Sequence, residues 1–438
     1  MSPHPTAPDV LIVGAGVIGC SIATELARRG HRTLNLDRGP SAGSGSTASS
    51  SAVVRFSYST ANGVHLSWEG LQYWLNWADH IGVGDELGLV EYQRCGQLML
   101  MRTSDDYSHQ VRYLWQELDI PFESFTEAEL RERFSFLDTG IYGPPTLPDD
   151  DEFWKSSTGT MLGAIYSPDA GYISDPQLAA HNLQMAAEAA GGEFRFGSEV
   201  VAINQADGAV TGVTLADGTV IDCPIVVNVA GPHSAVINEM AGVRDSMAIK
   251  TAPMRQEVHH VPAPPDVDLN AHGMVMADDD VGFYCRPELG NNLLIGSIEP
   301  ECDVLEWIDD ADDFHPGISE LWETQVLRAN RRFPDLGMPH QRRGLAGVYD
   351  VSDDWMPIYD RTDLDGFFVA IGSSGNQFKN AGAAGHIMAE LIEAVAAGHD
   401  HDGEPLQVTG AFTGRPIDVG AFSRNRVVNA DSSMSVQG

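Results

Sequence analysis

Lysine is almost missing from this sequence: Lys155, Lys250 and Lys379 are the only three in 438 residues. With 26 lysines and arginines against 62 aspartates and glutamates, the formal charge is −36. Such a chain is repelled by phosphate backbones and anionic lipid, which excludes nucleic acid and the membrane surface as principal partners. Cysteine is sparse too. Cys20, Cys95, Cys223, Cys285 and Cys302 are odd in number and form no C-x-x-C pair, so neither a disulfide framework nor a zinc site is expected. No apolar run approaches membrane-spanning length, and the N-terminus carries no basic leader, which points to a cytoplasmic enzyme. The acidic runs Asp149–Glu152, Asp278–Asp280 and Asp309–Asp313 lack the ligand alternation and central glycine of a calcium loop. They read as solvated loops, and no metal is expected.

What the chain does have is glycine in register. Val10–Val13 is a short, wholly apolar run, the pattern of a buried parallel strand. Gly14–Ala15–Gly16–Val17–Ile18–Gly19 follows at once, then a helical stretch, Cys20–Arg29, ended by Gly30, and a second strand, Thr33–Leu36, ending in Asp37. Each glycine answers a steric need. Gly14 permits the tight turn, Gly16 lets backbone approach a pyrophosphate, and Gly19 lets helix pack on strand. The helix N-terminus offers unpaired amides to phosphate. Asp37 stands where a carboxylate accepts ribose hydroxyls and repels a 2′-phosphate.

Downstream, Ser41–Ser51 is a loop by composition and Val64–Trp77 has helical spacing. Ser174 is placed to cap a helix that runs to Gly191–Gly192. Three short strands around Val200–Ile203, Val210–Leu215 and Val220–Cys223 are joined by the turn dipeptides Asp207–Gly208 and Asp217–Gly218. Ile225–Val229 reads as another buried strand, and further strand patterns fall at Val281–Cys285 and Leu293–Ile298. Near the end, a strand at Phe367–Ile371 leads into a second glycine turn, Gly372–Gly375, and a small-residue helix from about Asn380 to Val395. The tail after Gly398 is expected to wrap the surface.

The fingerprint alone signifies a dinucleotide. A glycine-turned meander stands where an NAD-binding domain would continue strand–helix–strand. A second glycine turn opens a second helix, whose dipole can stabilise a reduced flavin. Together they favour FAD over NAD, although close helix–strand packing would also account for Gly372–Gly385.

These blocks resemble the glycine oxidase, D-amino acid oxidase and sarcosine oxidase group of flavoproteins, with the sarcosine oxidase and dimethylglycine dehydrogenase flavour closest. The resemblance is carried by the fingerprint to Asp37, Ser46–Tyr58, Ala170–Gly192, Val226–Ser234 and Gly344–Gly385. It implies an α/β fold: a discontinuous Rossmann-like FAD-binding domain (1–90, 160–245 and 340–438) and a substrate domain with a large mixed or antiparallel β-sheet (91–159 and 246–339). The cofactor contacts then fall to Gly14, Gly16, Gly19, Asp37, Arg38, Ser46, Val200, Ala230, Gly231, Gly372, Gly375, Asn376 and Lys379.

On the substrate side, Arg55 and Lys379 match cations that hold the substrate carboxylate, by a bidentate fork and a point charge respectively. A surface or FAD-phosphate salt bridge is the other reading of Arg55. Tyr284 matches a substrate-side tyrosine, and Arg286 lies two residues on, sharing its strand face. Three departures also matter. The cysteine that tethers flavin in monomeric sarcosine oxidases is Gly347 here, so FAD is expected to be noncovalent. The lysine that promotes oxygen reaction is Leu294, which tilts the reading toward a dehydrogenase. The glycine-oxidase arginine is Glu288.

The expected reaction is oxidation of the C–N bond of a small amino acid or N-alkylamino acid. An FAD-dependent 2-hydroxy acid dehydrogenase, an NAD-dependent dehydrogenase and a flavin-binding subunit of a larger complex are the alternatives. His233, His259 and His260 are candidate bases, though a lone histidine is more often structural. Beyond a carboxylate-bearing small molecule, the partners expected are an electron acceptor or a second copy of the chain.

Overall fold

Four apolar residues with no polar face to turn outward, Val10–Val13, lie fully inside a parallel sheet in the computed structural model, which describes residues 7–102, 106–428 and 432–437. That sheet has six strands. In spatial order they are Glu193–Arg195, Thr33–Leu36, Val10–Val13, Val226–Asn228, Phe367–Ile371 and Ile358–Arg361. The first five run parallel and the last is antiparallel, pairing Ile358 with Ile371. The helix Val17–Arg28 crosses from Val10–Val13 to Thr33–Leu36 and packs between two others, Pro176–Ala189 and Ala381–Ala396. Gly385 permits one of these approaches, since a Cβ there would strike Ser21. Gly382 similarly meets the Tyr73 ring. Close packing therefore claims the later glycines of the C-terminal block.

The meander forms a separate three-stranded antiparallel sheet, Val200–Ala206, Ala209–Leu215 and Val220–Asp222, turned at the two Asp–Gly dipeptides. A nine-stranded mixed sheet is built around the long strand Thr251–Pro262, which pairs with Asn292–Ser297, Glu306–Trp307 and Gly344–Ser352. It continues through Phe283–Glu288, Val275–Asp278, Gln97–Met101, Gly163–Ser167 and Glu123–Thr126. Gly163–Ser167 and Gly344–Ser352 thus bring into this sheet chain from beyond the boundaries drawn at 160 and 340.

Three local expectations need correction. The helix at Pro176–Ala189 is capped by Asp175, whose carboxylate accepts the Leu178 amide at 3.0 Å; the Ser174 hydroxyl accepts the Glu91 amide instead. In the run 278–280, Asp278 and Asp280 are not solvated but buried. Arg332 links them, its Nη2 2.7 Å from Asp280 and its Nε bonded to Asp278, so the buried charges are matched. Nor does the tail simply wrap the surface. Val419 and Phe422 are fully buried, and the Arg424 guanidinium is clamped by Asp360, Asp363 and Asp402 at 3.0, 2.7 and 2.7 Å. Among the described residues no helix is long and apolar enough to cross a membrane, and no three His, Cys, Asp or Glu side chains gather as they would to hold a metal ion.

Candidate active site

The turn after Val13 works as its glycines suggest. Gly14 adopts φ +119°, and a Cβ there would collide with the Val229 carbonyl. A Cβ at Gly19 would collide with the Gly14 carbonyl. At Gly16 the nearest atom would be the Thr47 hydroxyl, 3.2 Å away. The second glycine therefore borders a side-chain hydroxyl rather than packed backbone, leaving a cradle that a Cβ would fill. Gly16 is the N-cap of the helix and makes no side-chain capping bond. The Val17 amide meets Thr47 Oγ1 at 3.1 Å, and amides with the positive end of the helix dipole remain for phosphate.

Asp37 accepts the amides of Ala15 and Gly39, both at 2.7 Å, which fixes its carboxylate against this turn. Arg38 is half-exposed and already paired with Asp312 at 2.6 Å, with His233 at 2.7 Å beside it. Ala230 and Gly231 follow the neighbouring strand, and nothing lies where a Gly231 Cβ would be. These positions gather at the carboxyl ends of the parallel strands, where an open α/β sheet takes its ligand. A cavity of about 440 Å³ bordered by Ile225, Gly366 and His399 lies at the opposite, strand-start end and is not this site. Ser46 donates to the Val348 carbonyl at 2.7 Å, tying the N-terminal loop to the large sheet. Val200 is buried at the start of the meander, paired with Leu215.

The second turn is built from polar groups in a dry place. Asp350 accepts the Gly372 amide at 2.7 Å, and burial pushes its carboxyl up to about 7. Gly375, at φ +69°, lies so close to Tyr349 that a Cβ would enter the ring. The Asn376 carbonyl collects the Tyr58 hydroxyl at 3.0 Å and the Lys379 ammonium. Lys379 is buried, and desolvation together with the nearby Arg55 holds its pKa well below the usual lysine value. Arg55 and Lys379 both lie over the Tyr58 ring, at 4.8 and 4.9 Å from its centroid. The remaining Arg55 bonds go to Ser57 and to the backbone carbonyls of Val436 and Gln437. Among the described residues neither cation makes an ion pair.

Tyr284 and Arg286 do share a face, and both reach Ser51: the tyrosine hydroxyl meets Ser51 Oγ at 3.1 Å, and Arg286 Nε donates to the Ser51 carbonyl at 2.6 Å. Arg286 is already matched by Glu288 at 2.9 Å and stacked on Tyr172, so its charge is committed to structure. Leu294 is buried against Tyr284. A Cβ at Gly347 would lie 2.9 Å from Ser49 Cβ, which leaves no room for a larger side chain.

His259 is no base. It is buried in the long strand, and desolvation pushes its pKa down to about 4. Sequence reasoning missed Tyr58, Tyr349 and Glu299. Glu299 adopts φ +54°, accepts Gln256 Nε2 at 2.9 Å, and is pushed up to about 8 by burial. Non-glycine residues with positive φ also occur at Ala52 and Ser374 around the two turns, the kind of strain that functional sites retain.

The model of the DAO family, the FAD dependent oxidoreductases, matches residues 9–391 and spans both turns. The chain belongs to that family. This oxidoreductase is 27% identical to glycine oxidase from Geobacillus kaustophilus (strain HTA426) over 395 residues, covering 88% of this chain and 93% of the relative. It is 24% identical to sarcosine oxidase subunit beta from Arthrobacter sp over 389 residues, covering 88% and 86%. The crystal structure of glycine oxidase from Geobacillus kaustophilus superposes with a TM-score of 0.72 at 23% identity, covering 96% of this chain and 99% of that one. L-proline dehydrogenase from P. horikoshii does so at 0.72 and 21%, covering 89% and 94%. At these identities the solved structures establish the shared fold.

FAD is the cofactor, and the residues present fit it. The Gly16 cradle with the helix amides would suit the pyrophosphate, Asp37 a ribose, and the Gly372–Asn376 turn, whose Gly372, Ser374 and Asn376 amides are already bonded within the protein, the edge of a flavin ring.

Proposed function

We propose that this enzyme oxidises the C–N bond of a small amino acid or N-alkylamino acid, with the substrate carboxylate held between Arg55 and Lys379. One observation carries the reading. In a chain with 62 acidic residues, two buried cations share one tyrosine ring and neither is paired with a carboxylate among the described residues. Buried charge is costly unless matched, and a ligand carboxylate would give Arg55 the counter-ion it lacks while favouring the protonated form of Lys379.

When bound, FAD supplies the two-electron acceptor. Arg55 offers a fork and Lys379 a point charge, and a carboxylate beside Lys379 restores its proton. With the carboxylate fixed, the carbon next to nitrogen is oriented for loss of a hydride equivalent, and orientation alone supplies much of the rate. Water then adds to the resulting C=N bond and releases the amine and carbonyl products.

Leu294 in place of an oxygen-activating lysine favours an acceptor other than oxygen. The crowding of Gly347 by Ser49 favours noncovalent FAD. The two-domain division, with Arg55 and Lys379 on segments of the FAD-binding domain and Tyr284 facing them from the large sheet, belongs to the same proposal. Five free thiols suit a reducing compartment such as the cytoplasm. The name of the Arthrobacter relative, subunit beta, gives a specific reason to look for a protein partner as well.

The test is anaerobic bleaching of the flavin absorbance with N-methyl amino acids, D- and L-amino acids, and 2-hydroxy acids. Bleaching by the amine-bearing compounds is expected. Bleaching by hydroxy acids alone would overturn the proposal in favour of alcohol oxidation, and no turnover without a co-purifying partner would favour the subunit reading.

A further inference from the structure

Residues 432–437 enter the space between the two sheets' functional loops, and one of them presents the three groups of an amino acid to three separate receptors. The Val436 amide donates to Glu299 Oε2 at 2.9 Å. Its carbonyl oxygen accepts Arg55 Nη2 at 2.7 Å. Its side chain packs against two apolar clusters, one containing Tyr284, Leu294 and Ile298 and the other Met254 and Trp355. The next carbonyl, that of Gln437, takes a second Arg55 bond at 2.8 Å, and the Gln437 side-chain amide reaches Asp279. The segment is anchored upstream: Ser432 donates to the Asp354 carbonyl at 2.8 Å, and Arg426 bridges to the Asp354 carboxylate at 2.6 Å.

We infer that Val436 occupies the substrate position, so that residues 435–437 act as a built-in competitor and the substrate is an amino acid with an apolar side chain whose nitrogen faces Glu299. The inference rests on the proposed role of Arg55 as carboxylate receptor. A guanidinium that donates to two neutral carbonyls exchanges them readily for a carboxylate, because a carboxylate adds opposite charge and a geometry that both nitrogens of the fork can meet at once. Glu299, whose pKa is raised by burial and by the Asp303 carboxylate, with the Tyr284 and Tyr349 hydroxyls also nearby, is bonded to the Val436 amide and Gln256, and it gains a reason to ionise when an ammonium replaces that amide. The apolar walls around Val436 accept a branched or straight aliphatic chain, whereas glycine or sarcosine would leave them unfilled.

Isothermal calorimetry on the FAD-loaded protein tests this without requiring turnover. The probes are isovalerate, which has the carboxylate and the aliphatic chain but no nitrogen, and valine of either hand. A variant lacking residues 432–438 should bind isovalerate about tenfold more tightly than the full chain, since a site closed by its own segment most of the time loses affinity in that proportion. The synthetic peptide SSMSVQG should compete with isovalerate in that variant. In the full chain, Val436→Gly should tighten isovalerate in the same direction, which keeps the test valid if the shortened protein folds poorly. Glu299→Gln, made in the shortened background, should weaken valine about tenfold and leave isovalerate within about twofold.

Unchanged or weaker isovalerate binding in both the shortened and the Val436→Gly proteins would overturn the inference and make the segment a wall of the site. Equal losses of valine and isovalerate on Glu299→Gln would remove the assignment of the nitrogen. If carboxylates bind as described while no amine bleaches the flavin, the proposed reaction falls and the occupancy stands. If amines bleach it but shortening changes no affinity, only the occupancy falls.

Discussion

Replacing Lys379 with methionine should make the protein more stable and a worse receptor at once. The side chain is fully desolvated, has the Asn376 carbonyl as its bonded acceptor, and lies near a second cation, Arg55. Its pKa in the folded protein is therefore lowered. In the unfolded chain it is an ordinary lysine near pH 10.4. Between those two values the unfolded state binds the extra proton, so stability rises with pH through that window and the cost of giving up that proton on folding disappears only at its upper end. Methionine has nearly the same length and no charge. By analogy with buried ionic groups exchanged for apolar ones, Lys379→Met should gain about 1–4 kcal/mol near neutral pH, a Tm increase of a few degrees that shrinks as pH approaches 10. The same change removes one charge-assisted bond to a carboxylate, worth about 1.5–3 kcal/mol, so the Kd for isovalerate should rise roughly 10- to 150-fold. In the parent, isovalerate affinity should also fall as pH rises through the lowered lysine pKa, and the variant should lose that dependence. Differential scanning fluorimetry at saturating FAD and calorimetric titration read the two effects. A lower Tm with unchanged isovalerate affinity would refute both halves: Lys379 would then be a packing residue and the carboxylate would bind elsewhere.

Other perturbations separate the cofactor from the fold. Gly16→Ala adds a methyl group that meets only the Thr47 hydroxyl, so the folded protein should survive while FAD affinity drops about tenfold or more, read as the flavin absorbance per protein after gel filtration. Gly14→Ala, which collides with backbone at positive φ, should instead lower the yield of folded protein. Acid precipitation should leave yellow flavin in the supernatant; colour retained in the washed pellet would show a covalent bond. Arg424→Ala leaves Asp360 buried without its cation and should cost about 3–5 kcal/mol by chemical denaturation. Asp363 and Asp402, whose pKa values Arg424 lowers most, contribute stability present above the usual carboxylate range and lost as pH falls through their folded values, and that acid sensitivity should shrink in Arg424→Ala.

The nucleotide-binding unit was legible because its requirements are local. Three glycines, a fully apolar strand and an acid at the next strand's end are constraints of spacing, and Val10–Val13 and Thr33–Leu36 fall where the residues place them. The same holds for Phe367–Ile371 and the turn behind it. What spacing does not encode is partnership across the chain. Asp278 and Asp280 look solvated until Arg332 is found between them. Arg286 looks available until Glu288, two residues away on the same strand face, neutralises it. Glu299 and the segment around Val436 gave no signal at all, since a lone glutamate and a serine-rich stretch are ordinary surface composition. They become informative only when Arg55 brings them together.

The strand order of the six-stranded sheet also has a consequence for synthesis. Val226–Asn228 gains its inner neighbour, Val10–Val13, early, but its outer neighbour, Phe367–Ile371, is translated only after every strand of the nine-stranded sheet. At ordinary elongation rates that apolar edge waits on the order of ten seconds with its amides and carbonyls unpaired. An exposed strand edge in a nascent chain invites pairing with another, so a ribosome-associated chaperone is well placed to shield that edge until residue 371 emerges.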